Sequence, residues 1–278
     1  MPAPLLAWLL LAVLFFSLKA IVLARAGSPA CRQLGMPRLL GFLVLWPGMS
    51  LQPFLDSTQA NPGTESLDKS AADKSFSSVQ PLIVWGLLNI LVGAAFLGIA
   101  VHWGALAEFT YVRAAVGILG VGLLVLFGAF QWLTAFWRWR GVPVQKQWDF
   151  LPASQSLAEY WSVRWNRAFH DFARHHVFVP LRKRLGRSAA LIASFFFSGL
   201  VHELLMSVPA RGGYGGPLLF FLLQGAGIWC ERRWRLEGWA RRAWAALVLL
   251  APMGLLFHWP FMENVVLPQL HALGGQSG

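Results

Sequence analysis

Acidic residues are scarce in this chain: 12 Asp and Glu stand against 23 Lys and Arg, a formal net charge of +11. The excess sits between long apolar runs with no nucleic-acid motif beside it. The positive-inside bias of membrane loops therefore explains it better than nucleic-acid binding. Cysteine is nearly missing. Cys31 and Cys230 lie far apart and no CxxC occurs, which excludes a zinc or thioredoxin-like signature and makes a disulfide unnecessary. No Lys or Arg precedes Lys19, so the basic start of a secretory signal is lacking, and the first apolar run is expected to be a retained span. No internal repeat of fixed period is visible, which counts against the repeat-built transporters.

What the chain has is apolar surface. Of its 278 residues, 56% are hydrophobic and the mean hydropathy is +0.54, above the roughly 45–50% apolar content of soluble domains. Its 15 Trp suit a membrane interface. Apolar segments fall at 4–24, 39–55, 81–101, 112–137, 188–207, 216–230 and 243–262. If all seven crossed, strict alternation would put two basic regions, 25–38 and 138–187, on opposite sides. Segment 39–55 is short and carries Pro47, Gly48 and Pro53. Reading it as re-entrant removes the conflict and leaves six spans, both termini outside and 138–187 on the cytoplasmic side. Residues 57–80 are polar and Ser-rich and read as a flexible loop. The expectation is one all-α, polytopic membrane domain over 1–278.

Within 138–187, Ser156 and Glu159 fit a capping box, so a helix is expected to start at Leu157. Trp161, Trp165, Phe169 and Phe172 then recur at helical spacing, and Pro180 marks the expected stop region. This predicts one cationic amphipathic helix lying at the interface.

The stretch 188–207, SAALIASFFFSGLVHELLMS, is almost wholly apolar yet holds His202 and Glu203. An ionisable residue near the bilayer centre costs about 2.5–3.5 kcal/mol on insertion scales, so it needs a partner or a task. Ser194, Ser198 and His202 share one helical face. Imidazole suits general-base work near neutral pH; the competing reading is a histidine hydrogen-bonded to a neighbouring helix. Glu203 points about 100° away from His202 and need not touch it; an arginine elsewhere is one candidate partner. HELLM fails the zincin pattern because Met206 stands where the second His belongs, and no metal is expected. A nucleophilic Ser198 lacks the G-x-S-x-G setting.

FFFSGLVHELLM resembles the His-bearing helix of the membrane-bound O-acyltransferase family, wax synthase-like branch. LAEYWSVRWNRAFHDFARHHVFVPL resembles the branch's upstream Arg-Trp-Asn segment. PLLFFLLQGAGIWCE looks like the following helix, with Gln224 where the branch often has His. FHWPFMENVVLP and LGFLVLWPGMSLQPFL resemble its C-terminal and N-terminal segments. The resemblance implies transfer of an acyl group from acyl-CoA, or an acyl carrier protein thioester, to a lipophilic hydroxyl such as a long-chain alcohol. No bound cofactor is implied. It carries over His202 as the catalytic base and Asn166 as its polar partner, with Glu203 and Ser198 in support. Membrane lipids are the expected surroundings, and a bacterial inner membrane the expected location. A lipid or solute transporter, or a family member that only binds lipid, is the alternative. One geometric demand follows. His202 lies past the bilayer midplane if Ser188 is at the cytoplasmic face, so Asn166 can share its site only if its segment dips inward or a funnel admits the donor deeply.

Overall fold

The computed structural model describes residues 1–59, 69–106 and 108–275. It is mainly helical, and no strand occurs among the described residues. Four helices are long and apolar enough to cross a membrane: Ala3–Val44 (α1), Val79–His102 within Lys69–His102 (α3), Thr110–Trp139 (α4) and Arg167–Ala210 (α6). Gly238–Leu256 (α8) and Trp259–Leu273 (α9) together make a fifth candidate, bent by 60°. The protein is an all-α polytopic membrane protein.

The sixth expected span, 216–230, falls short. Helix α7, Gly216–Arg233, is 18 residues long and ends in Glu231, Arg232 and Arg233. The 15 residues before them rise about 22 Å, less than a hydrocarbon core of about 30 Å.

Helix α1 is not straight. Gly27 and Gly35 take φ of 80° and 69°, which a side chain would resist, and Pro29 and Pro37 restart the helix two residues after each break. Its last piece ends at Val44. The chain then runs irregularly through 45–51 before a short helix, Gln52–Gln59 (α2). The expected re-entrant segment 39–55 is thus two short helical pieces joined by buried irregular backbone. Trp46, Met49 and Leu51 are buried, and neither piece can cross alone. Lys19 holds this turn. Its side chain is fully buried, and Nζ donates to the carbonyls of Phe42 (2.8 Å) and Gly48 (2.6 Å).

The polar stretch 57–80 is corrected at both ends. Residues 57–59 complete α2, and α3 already begins at Lys69; residues 60–68 lie outside the described residues. Helices α3 and α4 then cross backbone to backbone. A Cβ added at Gly93 would lie 2.6 Å from the Leu124 nitrogen, and one at Gly120 would lie 2.8 Å from the Leu97 nitrogen. Small residues at such a crossing are how helices pack in lipid, where no hydrophobic force drives them together.

Candidate active site

The capping box is present. Ser156 Oγ accepts from the Glu159 nitrogen (2.9 Å), and Glu159 reaches back to the Gln155 nitrogen (2.8 Å). A helix spans 157–164 (α5), ending in a π-helical turn, Tyr160–Arg164. It does not continue to Pro180 as the aromatic spacing suggests. Trp165 is extended (φ −102°, ψ 126°), and Asn166 is left-handed (φ 40°). Backbone pairing enforces the break: Arg167 N donates to Gln147 O (3.0 Å), and Asp149 N donates to Arg164 O (2.9 Å). The four aromatics accordingly part company. Trp165 stacks on Tyr160 and Trp161 packs on Phe221, while Phe169 and Phe172 pack on Phe197.

Helix α6 starts after Asn166, whose Oδ1 accepts from the Phe169 nitrogen at 3.2 Å. Pro180 does not stop it. The missing N–H falls at the exit of the π-helical turn Arg174–Phe178, where the ladder already shifts register. The break comes instead at Gly186, just before the predicted span at 188–207.

His202 is half-buried on this last piece of α6. Its Nδ1 lies 2.8 Å from the carbonyl oxygen of Ser198. A carbonyl only accepts, so Nδ1 carries the proton, and an uncharged ring then has its lone pair at Nε2. The Phe221 ring, from α7, lies 4.3 Å from the imidazole, centre to centre. The Ser198 hydroxyl turns away and donates to the Ser194 carbonyl (3.0 Å). Ser198 therefore orients His202 through its backbone, and its side chain is engaged elsewhere.

Glu203 makes no arginine pair. Its Oε1 accepts from the Gly215 (2.8 Å) and Leu218 (3.0 Å) nitrogens, at the N-terminus of α7. A carboxylate suits that positive end. The crossing beneath it is close: a Cβ at Gly199 would lie 2.9 Å from Leu218 Cα. Glu203 thus ties α7 to α6 one turn from the Phe221–His202 contact. The next turn of α6 is fixed too. His258 Nδ1 accepts from the Phe261 nitrogen (3.2 Å), which leaves its Nε2–H to donate to Ser207 Oγ (3.2 Å). His258 is buried and packed at this crossing.

Three contributors were not expected from sequence. Trp161 packs on Phe221 with ring centres 5.5 Å apart, and its indole N–H donates to Gln224 Oε1 (3.3 Å). Gln224 is fully buried and donates onward to the Val248 carbonyl (2.8 Å). Its amide uses both donor and acceptor where a single imidazole would need a particular tautomer. Gln224→Leu leaves a buried indole N–H and a buried carbonyl unpaired. Each such group costs about 1–3 kcal/mol, so a lower thermal midpoint in detergent is expected. The third contributor is the stretch beside Asn166. Gln147 Oε1 and Trp148 Nε1 are buried there without a protein partner, an acceptor and a donor left available.

His202 lies 15 residues beyond Arg187, about 22 Å along the helix, and nine before Arg211, about 13 Å. Trp161 answers part of the demand this depth creates. Through Phe221, the segment 157–164 reaches the level of His202. Asn166 is one turn from Phe169, which packs on Phe197 of the same helix as His202. No hydrogen bond joins Asn166 to His202 among the described residues. No cluster of three or more metal-ligating side chains occurs among them either.

A polytopic helical protein with a tautomer-fixed histidine inside a span and a capping Asn at a helix break forms the class this geometry defines. Residues 146–223, which hold Asn166, His202 and Glu203, match the membrane bound O-acyl transferase family. A probable long-chain-alcohol O-fatty-acyltransferase 1 of Arabidopsis thaliana is 32% identical over 128 residues, covering 42% of this chain and 38% of that protein. Diacylglycerol O-acyltransferase 1 of Arabidopsis thaliana is 34% identical over 59 residues, 21% of this chain and 11% of that protein. The protein of the same name from Corylus americana is 30% identical over 79 residues, 28% and 13% respectively. The chain thus spans well under half the length of the curated relatives it matches.

Proposed function

We propose that this protein transfers a fatty acyl group from an acyl thioester, acyl-CoA, to a lipophilic hydroxyl, a long-chain alcohol, giving an ester. The observation that carries the reading is the hydrogen bond from His202 Nδ1 to the Ser198 carbonyl, which leaves Nε2 as a base within an apolar site. The acceptor oxygen attacks the thioester carbonyl while its proton passes to Nε2. The tetrahedral adduct then expels the thiolate, which takes that proton back from Nε2–H as the free thiol. No protein nucleophile is needed, in keeping with a Ser198 hydroxyl engaged by its own helix. Asn166 serves as the second polar group at the site. Long-chain alcohol is favoured over diacylglycerol because the relative named for long-chain alcohols matches a larger share of this chain, 42% against 21% and 28%. An acyl carrier protein thioester would offer the same reacting bond. These relatives are plant proteins and lend no support to a bacterial inner membrane.

The test is product analysis by mass spectrometry. Purified full chain in lipid nanodiscs receives acyl-CoA with a long-chain alcohol, a sterol or a diacylglycerol. Wax ester from the alcohol is expected. No ester from any acceptor, with solute flux across proteoliposomes, would replace the enzyme by a transporter; lipid binding alone would leave a non-catalytic member of the family.

Asn166 needs a sharper variant than alanine, because Ala resists φ 40°. Gly accepts that backbone, and replacing an Asn cap by Gly costs only a few tenths of a kcal/mol. Asn166→Gly is expected to keep its thermal midpoint within a few degrees and to lose most turnover. Wild-type turnover in that variant would reduce Asn166 to a helix cap.

A further inference from the structure

At the end of α7 remote from Glu203, where the last piece of α6 begins, three arginines face one cleft. The two helices run antiparallel. Gly199 meets Leu218, Phe195 meets Gly225, and the register continues to bring Arg187 and Leu191 opposite Trp229, Arg232 and Arg233. These residues and Ser188 line a cavity of about 220 Å³. Arg187 is the first residue after the Gly186 break, and Arg232 and Arg233 are the last of α7.

No ion pair among the described residues balances this charge. All three arginines are exposed, and the ion pairs among the described residues are Lys146–Asp149 and Arg164–Glu159, both elsewhere. Glu231 is adjacent in sequence but turns away, its Oε2 accepting from the Leu157 nitrogen at 2.7 Å. Partial desolvation, and then the neighbouring Arg187 charge, lower the pKa of Arg232, against a smaller opposing effect of the Glu231 carboxylate. One turn deeper, Leu191 and Trp229 make apolar walls. A cationic rim over an apolar floor matches an anionic head on a hydrocarbon tail. Arginine forks match phosphate oxygens two at a time.

We propose that this cleft binds the phosphate group of an amphiphile, with its hydrocarbon lying against Leu191 and Trp229. The shared chemistry is a phosphoryl group. A bilayer phospholipid supplies it independently of acyl transfer, whereas the phosphates of an acyl-CoA donor supply it only if the function proposed above holds.

The experiment reads binding with no acyl donor or acceptor present, so its failure and that of acyl transfer are separate. Full chain purified in neutral detergent is titrated with phosphatidylglycerol or phosphatidylcholine, and retained lipid is counted by native mass spectrometry. Phosphatidylglycerol is expected to be held more tightly. Replacing all three arginines by Gln (R187Q, R232Q, R233Q) is expected to weaken its retention by about tenfold or more. Arg182→Gln with Arg184→Gln, exposed and outside the cleft, is expected to change it less than about twofold. Competition by soluble 3′,5′-ADP supports the phosphoryl site and assigns it to a nucleotide donor; lipid retention unaffected by 3′,5′-ADP supports it and assigns it to phospholipid. Equal retention of the two lipids, no loss in the triple variant, or an equal loss in the Arg182/Arg184 control would each overturn the proposal.

Discussion

His202→Ala is expected to lower ester formation by about 10²–10⁴-fold, the usual worth of a positioned general base. The loss should fall on kcat, because the imidazole acts on a proton in flight and contributes little to holding either lipid. The local structure predicts that folding survives. Ser198 O gains no unmade obligation, since a carbonyl in a helix keeps a second lone pair, and Phe221 loses a ring contact rather than a hydrogen bond. His202→Gln sharpens the test. Its amide places a polar group near Nε2 but is too weak a base to take a proton. A Gln variant as slow as Ala supports proton transfer; a Gln variant near wild type would mean that His202 only orients a substrate. Turnover by a folded His202→Ala protein at the wild-type rate would remove the mechanism altogether.

Gly93→Leu is expected to prevent a stable, monodisperse protein. The added Cβ alone would meet the Leu124 nitrogen at 2.6 Å and the Gly120 carbonyl oxygen at 2.7 Å. Both are backbone atoms, so no rotamer change relieves the clash and α3 must separate from α4. Inserting extra methylenes into a packed site costs about 1–3 kcal/mol where side chains can give way, and here they cannot. Gly93→Ala should already lower the thermal midpoint by several degrees. Gly98 is the internal control. It lies on the same helix, and nothing stands within 4 Å of its added Cβ. Gly98→Ala should be neutral or slightly stabilising, because alanine forms helix more readily than glycine. Equal behaviour at the two positions, read by size exclusion and thermal unfolding, would refute the crossing.

The spans were legible because each is a long apolar run, and Gly186 sits just before the run that holds His202. The missed count at 216–230 has a simple cause. Apolar content suggested a crossing, while length and the terminal Glu231-Arg232-Arg233 argued against it. Ser156 could be read as a cap because the signal is local. The break at Trp165 and Asn166 could not, since it is imposed by the backbone of 147–149, and an aromatic spacing compatible with one helix hides it. Glu203 shows the same limit. A carboxylate in an apolar run asks for a positive partner, and the sequence offers many arginines, yet helix N-terminal amides take its Oε1, and Oε2 is buried without a partner among the described residues. Trp161 and Gln224 join across 63 positions, a pairing that no periodicity reports.

Lys19 bears on how the chain is made. A lone ammonium in the first apolar helix disfavours its transfer into lipid by about 2.5–3.5 kcal/mol. The two carbonyls that accept its protons come 23 and 29 residues later. During synthesis the first helix therefore has its charge unmet until Gly48 has been added and the chain has doubled back at 45–51. Residues 19–48 are then expected to insert as one unit, committed when the turn closes rather than when the helix emerges.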